Sequence, residues 1–249
     1  MLPPSLIELA ARSDTLSGQF TVSDAPPIIL WDDGAVSWLT GDPRIIAPSR
    51  FLANIYEQHG VPPNKLQHLA YGLDAERFAS MPPRKATAGR PRLDVGYIGS
   101  ISRHKGVHVL IAALQHVQDE NIHLHIHGSR DSQPGYSEAL VDGITDPRIT
   151  FHGPFKPTEL GGVLAGLDVL VVPSLWYENT PFSVLEAQHV GLPVLASDLG
   201  GITEAVKDGV GGMLFPPGDA RRIAEILGDL ARDPSRLAAL HPPKPPTID

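Results

Sequence analysis

The chain has 249 residues, of which 42% are apolar, 6% aromatic and 19% charged, so it has the material for a packed core in one large or two small domains at ~100–200 residues each. Acidic side chains outnumber Lys and Arg by 28 to 20 and the formal net charge is −8, which argues against a nucleic-acid partner, since such binders carry a basic excess. The absence of cysteine excludes disulfide scaffolds, thiolate zinc sites and cysteine nucleophiles.

Residues 1–27 carry two proline pairs and little periodicity, and read as loop or frayed helix. The opening MLPPSLIELAARSDTLSGQF has no basic flank followed by an apolar stretch, so no secretory signal is expected there. No apolar run approaches the ~20 residues that cross a bilayer, and the expectation is a soluble, cytoplasmic protein. IILW (28–31) and RIIAPS (44–49) read as strands. Ser49 then suits the N-cap of a helix through His59, with Phe51, Leu52, Ile55 and Tyr56 on one face, stopped by Gly60 and Pro62-Pro63. LQHLAYG (66–72) is the next expected strand. SMPPRKATAGRPR (80–92) has the composition of a linker, which places the boundary between two domains, 1–88 and 89–249.

After the linker, strands and helices alternate. LDVGYIGS (93–100) reads as a strand, followed by a helix through Val117 that clusters Val109, Leu110, Ala113, Leu114 and Val117. NIHLHIHG (121–128) is a strand, 135–143 a helix and RITFHG (148–153) a short strand. LDVLVVPS (167–174) is nearly all apolar, as in a parallel strand buried on both faces. A helix follows Pro181, then the strand PVLAS (193–197), a short helix ending by Asp208, and the strand GGMLF (211–215). Asp219 suits the cap of a last amphipathic helix with Ile223, Ile226, Leu227 and Leu230 on one side. This alternation with short connections implies an α/β fold, a doubly wound, Rossmann-like parallel sheet.

Ligands of such sheets bind outside the carboxyl ends of the strands, so the residues just after each strand decide the function. In GSISRHKG (99–106), two glycines bracket a loop holding Arg103 and Lys105, and a helix starts at once. Backbone amides at a helix start with a flexible cation suit a diphosphate, although surface cations beside a turn are commonly just solvated. The loop is neither a P-loop nor a GxGxxG fingerprint, which leaves ATPase and dehydrogenase readings without a motif. In PSLWYENTPFSVLEAQHVGLPVLAS (173–197), Thr180 suits an N-cap and Pro181 the first helical position, so a helix start points at the crevice. Glu178 lies just before that helix and Glu186 on its second turn. Read from the residues alone, the two carboxylates either bind paired hydroxyls at two parts of one ligand, or are a dipole-favoured Glu and a solvent-facing one. Gly200-Gly201 in SDLGGITEAV (197–206) either permit close backbone approach or form an ordinary turn.

ENTPFSVLE (178–186) resembles the E-x7-E motif of retaining family 4 GT-B glycosyltransferases (glycosyl transferase group 1), with A-x-x-x-G-x-P-V following at Ala187, Gly191, Pro193 and Val194. SDLGGITEAVKDGVGGMLFPPGD (197–219) is similar to the segment after that motif, GSISRHKGVHVLIAAL (99–114) to the phosphate-loop segment, and ITFHGPF (149–155) to the strand whose end meets the nucleobase. The resemblance spans roughly 93–235 in the family's order. It implies a GT-B C-terminal, nucleotide-sugar-binding domain beside a partial N-terminal GT-B domain. It further implies a nucleoside diphosphate sugar as donor, no cofactor or metal, and an acceptor that is a glycan, lipid or small molecule. By that resemblance Glu186 binds ribose hydroxyls, Glu178 holds hydroxyls of the transferred sugar, and Lys105 neutralises the diphosphate leaving group. The backbone of Asn179, Thr180, Pro181 and Phe182 contacts sugar and diphosphate. Gly99, Ser100 and Arg103 belong to the phosphate loop, and Phe151 and Gly153 to the nucleobase end.

Two departures bear on these roles. Family members commonly carry Arg where this chain has Ser100, with Arg103 three residues on as the available substitute. RIIAPSRFLANIYEQHG and AYGLDAERF within 44–78 resemble only the tail of the first domain, and HPPKPPTID (241–249) stands where the family has a returning helix. The expectation is therefore a fragment or a chain completed by a partner, prone to self-associate through its incomplete first domain. His123, His125 and His127 share one strand face, but a metal site is not expected because helices should cover that face. Trp176 and Tyr177 either line the sugar or acceptor pocket or pack the loop. Trp31 and Trp38 belong to the partial first domain.

Overall fold

The structure is a computed structural model that describes residues 30–32, 35–37, 45–79, 81–84 and 92–248. The readings made for 1–27, for Trp38 and for most of the 80–92 linker lie outside the described residues. The chain divides into two compact units, one formed by 1–47 with 53–69 and the other by 48–52 with 70–249.

The first unit holds an antiparallel pair, β1 (Leu30–Asp32) with β2 (Ala35–Ser37), and a parallel pair, β3 (Ile45–Ala47) with β4 (Leu66–His68). Ala47, Ala53 and Val61 are buried in it. The strand expected at 66–72 stops at His68, which pairs with Ala47 at the end of β3, and Leu69 N donating to Ala47 O at 3.0 Å is the last bond of that ladder. Helix α1 (Arg50–Gln58) starts as its sequence predicts: Ser49 Oγ accepts from Leu52 N at 3.1 Å. The first residues of this helix, within 48–52, belong to the second unit, where Glu204 Oε2 accepts from Arg50 N at 2.9 Å and Glu204 Oε1 from Phe51 N.

The second unit is built on a six-stranded, all-parallel sheet in the order β11–β10–β9–β6–β7–β8. The strands are β6 (Leu93–Ile98), β7 (Ile122–His127), β8 (Ile149–Gly153), β9 (Val169–Val172), β10 (Val194–Ser197) and β11 (Gly212–Phe215). From β6 the chain winds outward through β7 and β8 on one side, then returns to lay down β9, β10 and β11 on the other, so the winding reverses between β6 and β9. On one face, Val95, Leu124, Ile126, Val171, Leu195 and Phe215 pack under α2 (Val107–His116) and α7 (Ala220–Arg232). On the other, Leu170, Val172, Val194 and Ala196 pack under α4 (Leu160–Ala165), α5 (Phe182–His189) and α6 (Ile202–Ala205). Each fully buried aliphatic side chain stabilises the fold by roughly 1.5–3 kcal/mol. Exposed ion pairs on α7, such as Arg222–Glu225 at 2.9 Å, contribute at most about 1 kcal/mol. The two apolar faces therefore hold this unit together. Helix α3 (Pro134–Asp142) follows β7, and the short α8 (Ser235–Ala238) follows α7.

Asp219 caps α7 as predicted, accepting from Arg222 N at 2.9 Å. Beyond α8 the chain runs extended, and β12 (Thr247–Ile248) pairs in parallel with β5 (Leu73–Asp74). Leu73 N donates to Pro246 O at 2.9 Å, so the proline-rich tail is tied to the segment with which the long stretch of the second unit begins. No helix of the described residues is long and apolar enough to cross a membrane.

Candidate functional site

The loop after β6 and the loop after β9 meet where the winding reverses, the place a ligand crevice forms in an open α/β sheet. A 3₁₀ turn, Arg103–Lys105, ends in Gly106, whose φ of 73° lies in the left-handed region and whose missing Cβ would stand 1.8 Å from Pro173 O. Only glycine serves both needs, so the loop can lie flat on the end of β9 and deliver Lys105 into the crevice. Leu175 N donates to His104 O at 2.8 Å and fixes the two loops together.

Lys105 Nζ and Glu178 Oε1 are 2.5 Å apart. Glu178 is the less exposed partner, at 15% against 31% for the lysine side chain. The hydroxyl of Ser174, fully buried at the end of β9, reaches the same carboxylate oxygen at 3.0 Å. Tyr97 is buried beneath the loop and its hydroxyl donates to Ser100 O at 2.8 Å. Its pKa is raised by burial first and by the nearby Glu178 charge second, so it stays a neutral donor. Burial and then Lys105 lower the His104 pKa, and its ring sits edge-on to Trp176 with centroids 6.2 Å apart. Trp176 is thus partnered within the loops and Tyr177 stacks on Phe51 at 5.2 Å, two packing contacts where packing and pocket lining had both stood open.

The loop after β10 closes over the loop after β9. Gly201 N donates to Glu178 O at 2.8 Å, and a Cβ on Gly201 would stand 1.5 Å from Asn179 O. The close approach that Gly200-Gly201 permit is therefore to the Glu178–Asn179 backbone. Gly201→Ala must push that backbone away, and is expected to cost about 1–3 kcal/mol of stability by overpacking. Urea denaturation would register this as a lower midpoint with an unchanged slope.

One expectation is corrected here. Thr180 does not cap the helix: α5 begins at Phe182, Pro181 takes the cap position with no side-chain bond, and Thr180 Oγ1 donates to Asn179 O at 2.9 Å. The hydroxyl is satisfied by the preceding carbonyl, so the amides at the start of α5 carry no capping side chain. Glu186, on the second turn, is 8% exposed and meets Arg77 Nη1 at 3.5 Å. Desolvation raises its pKa and Arg77 partly offsets this.

The remaining candidate residues line the ends of β6, β7 and β8. Gly99 N donates to His127 O at 3.0 Å and Gly128 N to Gly153 O at 2.9 Å, which sets Gly99, Gly128 and Gly153 in a row. Ser100 lies in this loop with its hydroxyl 3.5 Å from that of Ser102. Arg103 stands over the Tyr136 ring at 5.1 Å, and Phe151 carries Arg130 over its face at 4.5 Å. Sequence reasoning missed Ser174, Tyr97 and Arg77. Ser174 closes a strand that otherwise reads as nearly all apolar, and a polar side chain at the carboxyl end of such a strand is a signal that was available.

The histidine row departs from expectation in its surroundings. The helices on that side pack over β9 and β10, and the rings of β7 stay only half-buried. His125 Nε2 lies 3.0 Å from Asp94 Oδ1 and its Nδ1 3.0 Å from His152 Nε2, while His127 stacks on His152 with centroids 4.4 Å apart. Among the described residues, no group of three His, Asp or Glu side chains is arranged to hold a metal ion.

Comparison with known proteins agrees with this architecture. Residues 92–233 match the family model described as glycosyl transferases group 1. The chain is 31% identical over 222 residues to the D-inositol 3-phosphate glycosyltransferase of Rhodococcus opacus (strain B4), covering 80% of this chain and 49% of that one. It is 30% identical over 200 residues to the amylovoran biosynthesis glycosyltransferase AmsK of Erwinia amylovora, covering 74% and 48%. The chain spans about half the length of the curated relatives it matches. Among solved structures, Anabaena HepE in complex with UDP-glucose has the same fold, with a TM-score of 0.69 at 23% identity over 79% of this chain and 56% of that one. Sucrose-phosphate synthase from Thermosynechococcus elongatus gives 0.68 at 25% identity over 79% and 51%. By the family match over residues 92–233, and by the 31% identity across most of its length, the chain belongs to the glycosyl transferases group 1 family.

Proposed function

We propose that the chain binds a nucleoside diphosphate sugar at the β6–β9 crevice and transfers the sugar, with retention of anomeric configuration, to a hydroxyl-bearing acceptor. The observation that carries the reading is the Lys105–Glu178 pair, 2.5 Å apart beside the start of α5. A cation and a carboxylate in contact there match the two ends of the scissile bond. Lys105 meets the charge that grows on the leaving diphosphate, and Glu178 accepts hydrogen bonds from hydroxyls of the departing sugar.

The amides of Phe182 and the residues after it present a helix start to the diphosphate. Glu186 takes the ribose hydroxyls one turn further on. Lys105 and the start of α5 supply the positive field that the leaving group requires, so the reading assigns no metal or cofactor. The transition state is oxocarbenium-like, and Glu178 holds sugar hydroxyls without forming a covalent bond to carbon. Gly99, Ser100 and Arg103 flank the diphosphate, and Phe151 and Gly153 lie at the nucleobase end. The UDP-glucose in the HepE structure is in keeping with a donor of this class.

Calorimetric titration with UDP, GDP and ADP tests the donor half. One nucleotide is expected to bind wild type and to lose at least ~10-fold in affinity in Glu186→Ala, since hydrogen bonds to a charged group contribute ~1.5–3 kcal/mol. No binding of any of the three would overturn the reading. Nucleotide binding with no turnover of the matching sugar donor would reduce the chain to a donor-binding module. Product of inverted configuration would refute retention alone.

A further inference from the structure

The segment 71–78 runs along one face of α5. Tyr71 stacks on Phe182 with ring centroids 5.0 Å apart, Arg77 meets Glu186 at 3.5 Å, and the Phe78 ring lies 4.9 Å from that of His189. Positions 182, 186 and 189 follow the i, i+4, i+7 spacing of a single helical stripe. The segment is itself firmly held. Leu73 and Phe78 are buried in the core beneath α5, Asp74 caps the 3₁₀ turn Ala75–Phe78 by accepting from Glu76 N at 3.1 Å, and β5 is paired with β12.

Resting on the donor-binding reading above, we propose that Arg77 is a positioning residue that keeps the Glu186 carboxylate ionised and aimed at the ribose diol of the donor. Glu186 is 8% exposed, and a carboxyl group in such surroundings tends to hold its proton. Burial does raise its pKa, and Arg77 is the opposing influence. The consequence is chemical. An ionised carboxylate accepts from both hydroxyls of a vicinal diol, whereas a protonated one spends an oxygen as donor. Of the other groups on the stripe, His189 has its ring against Phe78 and Phe182 carries no charge, so Arg77 alone brings charge from this segment to Glu186. The Arg77 side chain is 37% exposed, which lets it follow the carboxylate as ribose enters.

The test compares wild type with Arg77→Gln and Arg77→Lys. In the unliganded proteins, carbon-detected NMR of the Glu186 side-chain carboxyl is expected to titrate at higher pH in Arg77→Gln and close to wild type in Arg77→Lys. For whichever of UDP, GDP and ADP wild type binds, affinity near neutral pH is expected to fall about 10-fold in Arg77→Gln. The 2′-deoxy form of that nucleotide, which lacks half of the diol, should lose less. An unmoved carboxyl titration, or equal losses for the ribose and deoxyribose forms, would overturn the positioning role. A moved titration in a protein that binds none of the nucleotides would uphold the Arg77–Glu186 coupling and refute the donor reading, so the two can fail separately.

Discussion

Lys105→Ala is expected to slow release of nucleoside diphosphate from the sugar donor by about 10²–10³-fold, while lowering the stability of the fold by no more than ~1 kcal/mol. The two magnitudes differ because the lysine does two unequal jobs. Its pair with Glu178 is part-exposed at 31% and 15%, so solvent screens it and its loss costs the resting protein little. On the proposed reading, donor and sugar exclude that solvent in the reacting complex, and the same cation faces a full charge growing on the leaving phosphate oxygen. Loss of an interaction that strengthens in the transition state lowers kcat more than it raises the donor KM. Lys105→Arg keeps the charge but replaces a compact ammonium by a planar fork, and is expected to fall between wild type and alanine. Single-turnover kinetics with the donor identified by titration, alongside thermal denaturation, check both parts. Equal rates in wild type and alanine variant would mean that the pair is structural.

The parallel sheet was legible because its evidence is redundant. LDVLVVPS is apolar on both faces, NIHLHIHG alternates, and Asp219 caps a helix with a strict apolar stripe, so each local reading agreed with the same fold. Helix α4 escaped because Gly161-Gly162 at its start depress helix propensity. What favours a glycine there is tertiary: a Cβ on Gly161 would come within 3.0 Å of Met81. The cap of α5 was misread for a related reason. Thr180-Pro181 has the composition of a helix start, but the backbone just before it is drawn to Gly201, and no local pattern encodes a hydrogen bond across the crevice.

Within the site, the loops were legible and their connections were not. Glu178, Glu186 and Lys105 are marked by motif spacing, which reports where side chains lie along the chain. That Lys105 touches Glu178 depends on β6 and β9 being neighbours, a consequence of the reversal in winding. The roles of Ser174, Tyr97 and Arg77 are further removed. Ser174 reaches Glu178 from four residues before it, Tyr97 holds Ser100 O from beneath the loop, and Arg77 meets Glu186 from a segment distant in sequence, each through a group that is unremarkable in its own segment.

Acidification supplies the other large effect. The His127 ring is packed between His152, stacked at 4.4 Å, and Phe155, edge-on at 5.8 Å, with His125 further along the same face. Burial first, then the neighbouring histidines, lower its pKa from 6.5 to about 4. A histidine kept neutral by the fold costs nothing above its ordinary pKa. Below it the unfolded chain takes up a proton that the folded one refuses, so stability is whole above pH 6.5 and is lost as pH falls toward 4. At 1.36 kcal/mol per pKa unit, a shift of this size removes roughly 3 kcal/mol by the lower end of that window. The other groups facing the row divide. His123 and His152 are lowered too and steepen the loss in the same window. Asp94 is depressed, because its bonds to His125 and Arg92 outweigh the desolvation that opposes them, and it withdraws support only at more acid pH. Urea midpoints measured from pH 8 to pH 4 should therefore fall most steeply below pH 6.5. His127→Gln, which cannot be protonated, should flatten that slope. A variant with the wild-type slope would show that His127 is not the ring being held neutral.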